Sequence, residues 1–408
     1  MKPLDRRLAP RPLPAHLASA ILLWLSSRAA LTSLASGLPP WSTEENGAHE
    51  PLCALGAEIG QSGAEAVGGA LDRELLARAD RFLAGLEAYR RHPFRRKEPD
   101  APIVWREGNA RLLDYGSSRG GPGVLVVPSL INRYYVLDLL PERSFLRYLA
   151  KKGLRPLVLD WGEPDDAERD RTLTDYIAGP LETAMAATVK LTGGPVAVIG
   201  YCMGGLLALA LALHRPSETA CLALLATPWD FHAERREQAR LLAAAVDVAL
   251  VAPSNAPLAL DIIQGLFLAL DPFLAERKFI RFAGLDQQGA AARDFVALED
   301  WINDGVPLAR HAALECARSW YRDNDPARGE WRVAGEPVRP KEVRAPCLVV
   351  LPSRDRIVPP RSAEPLATAI PGVTILRPPF GHIGMMASAT APETVWHPIS
   401  EWLRAHLQ

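Results

Sequence analysis

The chain has 408 residues, 48 % of them apolar, with 46 basic against 47 acidic side chains and a formal net charge of −1. That length accommodates one large α/β domain with insertions, or two domains. The charge balance gives no electrostatic case for a nucleic acid or a strongly anionic surface as partner. The five cysteines (Cys53, Cys202, Cys221, Cys316, Cys347) are scattered, odd in number and without C-x-x-C spacing. They argue against a disulfide framework or a zinc site and fit a reducing cytoplasm.

The first residues, "MKPLDRRLAPRPLPAHLASAILLWLSSRAALTSLASG", place basic residues before a short apolar run, as a signal peptide would. The Pro-rich approach is long, however, Asp5 sits among the basic residues, and Arg28 closes the run. Read this way the run is too short to span a bilayer. The expectation is an amphipathic helix lying on something apolar. Residues 1–60 are rich in Pro, Ala and Gly, so residues 1–70 read as an irregular or partly helical extension. From Asp72 to Arg91 the spacing of Leu75, Leu76, Phe82, Leu83 and Leu86 predicts one helical face. A basic, Pro-bounded linker, "HPFRRKEPDAP", follows.

Short apolar runs then alternate with helical patterns, the mark of a mainly parallel sheet with crossover helices. Strands are predicted at 123–128, 155–161, 195–200, 221–228, 345–352 and 373–378. The crossover helices are expected in "ERSFLRYLAKK" and "LTDYIAGPLETAMAATVKLT". Between about 235 and 335 the strand rhythm stops and helical text takes over. The expected layout is a core in two parts, 71–234 and 336–408, interrupted by a helical lid at 235–335.

The stretch "IGYCMGG", residues 199–205, stands between a buried-strand pattern and the helical "LLALALALH". A nucleophile on a sharp strand-to-helix turn is the G-x-S-x-G elbow of α/β hydrolases, with Cys202 here in the serine position. Gly200 and Gly204 flank it at i−2 and i+2, where strand and helix nearly touch and small residues are required. The helix N-terminus favours the thiolate, and the amide of Met203 can donate to a developing oxyanion. By itself the turn is equally compatible with a buried structural cysteine.

Its partners decide between these readings. The elbow fold places nucleophile, acid and base in that chain order. Asp355 lies in "SRDRIVPP" after the strand "CLVVLP", and His382 in "FGHIGMM" after the last strand. The carboxylate would fix the imidazole tautomer, and the imidazole would take the thiol proton. The second oxyanion donor is expected in the loop after "GVLVVP", where the backbone N–H of Leu130 or Ile131 is available. No histidine cluster has metal spacing and no G-x-G-x-x-G follows a strand, so no metal or nucleotide cofactor is expected.

"GYCxGG" is similar to the elbow of dienelactone hydrolases, but those enzymes are short and lack a large lid. The segment "VPSLINRYYVLDLLPERSFLRYLAKKGLRPLVLDWGEPD" closely resembles the region before the nucleophile in polyhydroxyalkanoate synthases. So do "TLTDYI", the elbow, "TPWDF", "LEDWINDGV", "GEWRVAGEPV", "RDRIVPP" and "GHIGM", in the family's order from about residue 75 to the C-terminus. The tail, the "EDWINDG" segment and the modest length resemble the two-subunit class III.

The resemblance implies that Cys202 carries the growing acyl chain as a thioester, with His382 as general base and Asp355 as its partner. It implies an (R)-3-hydroxyacyl-CoA substrate of short chain, the CoA thioester being substrate and not cofactor. It also implies a polyester chain or granule surface in the cytoplasm, and a second synthase subunit in a homodimer or hetero-oligomer. Two departures stand out. Arg356 follows Asp355 where these synthases usually carry His, and residues 1–70 exceed what the short class has. A cysteine-elbow hydrolase or thioesterase with water as acceptor is the competing reading. A non-catalytic granule-associated protein that retains the fold is the third.

Overall fold

The computed structural model describes Arg7 and residues 10–36, 49–116, 121–234, 236–251 and 256–407. The chain divides into two compact units, one of Met1–Arg95 with Phe267–Asn303 and the other of Arg96–Leu266 with Asp304–Gln408.

The larger unit is built on an eight-stranded sheet. Its strands are β1 (Ile103–Glu107), β2 (Ala110–Asp114), β3 (Gly123–Val127), β4 (Arg155–Asp160), β5 (Val196–Tyr201), β6 (Thr219–Leu225), β7 (Cys347–Val350) and β8 (Thr374–Leu376). The spatial order is β1-β2-β4-β3-β5-β6-β7-β8. From β4 to β8 every neighbouring pair is parallel. Every residue of β3 and of β5 is buried. Alternate residues of a strand face opposite sides, so both faces of the sheet are covered there, and these strands read as unbroken apolar runs. The α/β class and all six expected strands are thus present, within three residues of their expected ends.

Two strands of this sheet were not foreseen. β1 and β2 form an antiparallel hairpin, and β2 also pairs antiparallel with β4. The hairpin turns at Gly108, with φ of 56°, and the buried Glu168 carboxylate accepts the Asn109 amide at 3.0 Å. "IVWRE" escapes detection because it is a half-exposed edge strand without an apolar run.

Two expected helices differ in detail. The one at 142–152 is confined to Phe145–Lys151, starting where the Ser144 hydroxyl accepts the Arg147 amide. The one at 173–192 is broken into Leu173–Tyr176, a wide turn at Ile177–Leu181 and Glu182–Thr192. Pro180 lacks an amide hydrogen, and Gly179 takes the non-helical φ/ψ of −104°/−109° that the break needs.

Segment 235–335 divides between the units. Arg236–Ala249, Arg310–Glu315 and Cys316–Arg322 are helical in the larger one, as is most of Leu260–Leu268. Near its end Arg332–Val333 pairs antiparallel with Glu336–Pro337, just beyond the segment. The rest of the segment, from Phe267, belongs to the smaller unit.

The smaller unit is helical: Leu13–Ala35, His49–Ser62, Ala64–Arg91, Leu274–Ala283 and Ala290–Asn303. Its core gathers Ala20, Phe82, Leu86, Tyr89, Phe279, Phe282, Ala292 and Val296. Gly85 lets helices 64–91 and 274–283 touch backbone to backbone, since a Cβ there would lie 2.1 Å from the Phe279 carbonyl oxygen. The charged Glu276, 2 % exposed, accepts Trp24 Nε1 and Arg78 Nε, each at 3.1 Å.

This unit corrects three expectations. The described part of 1–70 is helical over most of its length, and the helix expected at 72–91 begins at Ala64. The boundary at residue 70 therefore falls inside one continuous helix. That helix buries Phe82, Gly85, Leu86 and Tyr89, spaced at helical intervals, while Leu76 and Leu83 point to solvent. The N-terminal run does not stop at Arg28. Arg28 stays in the helix, paired with Asp72 at 2.9 Å, and the helix continues to Ala35. At 23 residues it is apolar on every side, not amphipathic, and is long and apolar enough to cross a membrane by length and composition.

Candidate active site

β5 ends at Tyr201, and the helix Met203–His214 starts one residue after Cys202. Cys202 bridges the two with φ of 56° and ψ of −128°, a conformation that L-residues adopt only under local constraint. The constraint is visible. The Cys202 amide donates to the Leu225 carbonyl of β6 at 2.8 Å, and the Gly205 amide donates back to the Cys202 carbonyl at 2.9 Å.

The glycines are dictated by contact. A Cβ on Gly200 would lie 2.4 Å from the Gly205 Cα, and one on Gly204 2.2 Å from the Val127 carbonyl oxygen. One on Gly205 would lie 1.8 Å from Thr227 Oγ1. A side chain at these positions would push β5 from its helix, the turn from the end of β3, or the helix from Thr227. Gly205 makes the tightest approach of the three.

Asp355 and His382 come from the loops that follow β7 and β8, and both are buried. His382 Nδ1 lies 2.7 Å from Asp355 Oδ2. The other carboxylate oxygen accepts the amides of Ile357 and Val358, each at 2.9 Å. Burial alone would lower the pKa of His382. The charges of Cys202 and Asp355, and hydrogen bonds to both side chains, outweigh that and raise it to about 10. Cys202 is half-buried, and its charge is the largest of the influences that raise the imidazole pKa. The other cysteines are unlike it. Burial pushes the Cys221 and Cys347 thiols up to about 12, Cys316 is buried too, and Cys53 is exposed far along the chain.

The loop after β3 carries Leu130 and Ile131. The Ile131 amide reaches Ser129 Oγ at 3.4 Å. Among the described residues, the amides of Leu130 and Met203 make no hydrogen bond. Trp161 Nε1 donates to the Pro128 carbonyl at 3.1 Å and pins this loop.

Three aromatic side chains near Cys202 and His382 were not singled out from the sequence. The Tyr201 ring lies against His382 at a tilt of 33°, burial and the charge of Cys202 raise the Tyr321 pKa, and Phe231 lies 4.9 Å from the Tyr321 ring. The "TPWDF" segment that holds Phe231 is tied down by Asn324, whose side chain bonds the Phe231 amide and Asp230 at 2.9 Å each. The usable signal for Tyr201 was its position next to the elbow cysteine. Among the described residues, no group of three or more His, Cys, Asp or Glu is placed to hold a metal ion.

Known proteins match on both sequence and fold. The chain is 29 % identical over 312 residues to the poly(3-hydroxyalkanoate) polymerase subunit PhaC of Allochromatium vinosum, covering 74 % of this chain and 87 % of that one. It is likewise 29 % identical over 287 residues to the Thiocystis violacea subunit of the same name, covering 69 % and 80 %. The resemblance to polyhydroxyalkanoate synthases drawn from separated motifs thus extends over most of the chain. Among solved structures, a putative non-heme bromoperoxidase, BpoC, of Mycobacterium tuberculosis superposes with a TM-score of 0.50. It is 17 % identical and covers 76 % of this chain and 99 % of its own, which bears on the fold alone. Residues 120–389 match the family model described as alpha/beta hydrolase fold, a span that runs from β3 through the elbow to the loop bearing His382. The sheet order, the elbow and this match agree: the chain belongs to the α/β-hydrolase fold family, and its curated relatives within it are polyhydroxyalkanoate synthases.

Proposed function

We propose that the chain is the catalytic subunit of a polyester synthase that polymerises (R)-3-hydroxyacyl-CoA, with release of CoA, through a thioester on Cys202. The observation that carries the reading is a cysteine, not a serine, on the elbow beside a His382–Asp355 pair buried away from water. The PhaC relatives supply the substrate class.

In the first step His382 takes the proton of Cys202, and the thiolate attacks the thioester carbonyl. The carbon–sulfur bond to CoA breaks, the proton on His382 passes to the departing CoA thiolate, and the acyl group rests on Cys202. In the second step His382 accepts the proton of the next acyl group's 3-hydroxyl. The resulting oxygen nucleophile forms an ester, and the Cys202 thiolate leaves. Exchange between two thioesters is nearly balanced, so the acyl group stays activated between steps; a serine ester would retain less driving force. Asp355 holds the imidazole in one tautomer and supports its protonated form. The unbonded amides of Met203 and Leu130 are the donors proposed for the oxyanion, in preference to Ile131, whose amide is engaged. The chain is proposed to act at a cytoplasmic granule surface with a second synthase subunit.

The test incubates purified protein with (R)-3-hydroxybutyryl-CoA, alone and with a candidate second synthase subunit, following CoA release and product size together. CoA release with growing polymer, and an acyl mass on the Cys202 peptide, is expected. Free 3-hydroxybutyrate without polymer in both arms would make the chain a hydrolase with water as acceptor. Full turnover by Cys202→Ala would remove both enzymatic readings.

A further inference from the structure

The residue before the elbow cysteine makes two separate contacts with His382. Tyr201, 3 % exposed, places its ring 5.3 Å from the imidazole, centroid to centroid, at an interplanar angle of 33°. Its hydroxyl donates to the His382 backbone carbonyl at 3.2 Å. Burial, followed by the charges of Cys202 and Asp355, holds that hydroxyl protonated far above the usual range, so it is a donor without charge. A residue that only filled space at the end of β5 would need neither contact, and Asp355 already occupies Nδ1.

We infer that Tyr201 is a positioning residue for His382: its ring face favours the protonated imidazole, and its hydroxyl fixes the backbone that carries it. The inference rests on the proposed pairing of Cys202 with His382. The face of an aromatic ring attracts a cation within about 6 Å of its centroid, more strongly where water is excluded. The titratable groups facing His382 are Cys202 and Tyr201 from the elbow and Asp355 from the loop after β7. Arg354 and Arg356, either side of Asp355, are exposed. The ring thus adds to what Cys202 and Asp355 already do.

The consequence is a wider pH range for the thiolate–imidazolium pair. That pair forms as pH rises through a lower apparent pKa and is lost as pH rises through an upper one. Removing the ring destabilises the imidazolium, so the upper limb moves down, while the lower limb, a thiol ionising beside an imidazolium that is present before and after, stays in place.

The test is the pH dependence of alkylation of Cys202 by iodoacetate in the full chain, because the reagent's carboxylate is drawn to the imidazolium and the rate falls when His382 loses its proton. The Cys202 peptide is quantified by mass spectrometry, because Cys53 is also exposed. Tyr201→Phe keeps the ring and is expected to keep both limbs. Tyr201→Leu is expected to lower the upper limb by about half a pH unit to one and a half. Tyr201→Met, unbranched and without a π face, reads the same shift should the leucine variant not fold. Wild-type limbs in the Leu or Met variant, or a Phe variant that moves as far as they do, would overturn the inference. His382→Ala separates the two levels. It is expected to abolish the upper limb, and an unchanged profile in that variant would remove the Cys202–His382 pairing itself.

Discussion

Asp355 holds His382 through one carboxylate oxygen, at 2.7 Å from Nδ1, while the amides of Ile357 and Val358 hold the other. The carboxylate is thus fixed by its own loop before it meets the imidazole. Its orientation does not depend on the partner it orients.

That division of labour predicts the behaviour of Asp355→Asn. The amide can still accept from Ile357 and Val358, so the loop should keep its shape and the melting temperature should change little. At Nδ1 the amide can present a donor where an acceptor is required, which selects the wrong tautomer. Turnover is expected to fall by about two to four orders of magnitude with KM nearly unchanged. Steady-state CoA release, with circular dichroism to verify folding, reads both. A variant within tenfold of wild type would remove Asp355 from the proposed chemistry.

The elbow glycines predict a stability loss that is independent of catalysis. In Gly204→Ala the new Cβ meets the Val127 and Pro128 backbone, at 2.2 and 2.6 Å from their carbonyl oxygens, and backbone cannot rotate aside. In Gly205→Ala it meets Thr227 Oγ1 at 1.8 Å, on a β-branched and fully buried side chain. Each should destabilise the fold by about 1–3 kcal/mol or more. Gly194→Ala, with nothing within 4 Å of the added carbon, is the matched control. Urea denaturation of the three variants measures the difference. Stability equal to the control would mean that strand and helix are not in contact at the elbow.

The raised His382 pKa predicts a pH dependence of stability. The folded value is about 10, above the unfolded value of 6.5, so the folded state retains a proton that the unfolded chain releases. The contribution is fully present below pH 6.5 and is lost as pH rises through about 10. The stability advantage of wild type over His382→Ala should therefore shrink steadily across that window. Urea midpoints at pH 6, 8 and 10 test the sign, and a constant or growing gap would contradict it.

Much of this protein was legible because its signals are local. Apolar runs bounded by Pro and Gly marked β3 to β8, and the order cysteine, aspartate, histidine after successive strands marked the candidate site residues. The hairpin Ile103–Asp114 was missed because an edge strand needs no apolar run. The N-terminal helix was cut short at Arg28 because the Asp72 that pairs with it lies 44 positions further on. Leu76 and Leu83 were assigned to a buried face because helical spacing says which residues share a side, not which side meets the core.

By itself, then, the sequence determined whatever depends on neighbours along the chain: strand identity, the Gly-lined turn at Cys202 and the loops that carry Asp355 and His382. Only the tertiary structure decided what depends on residues distant in sequence. Tyr201 and His382 are 181 positions apart, and their contact exists because the parallel strands β5 and β8 run out at the same end of one sheet. Periodicity records the environment of a residue averaged over its element. It carries no information about which distant side chain supplies that environment.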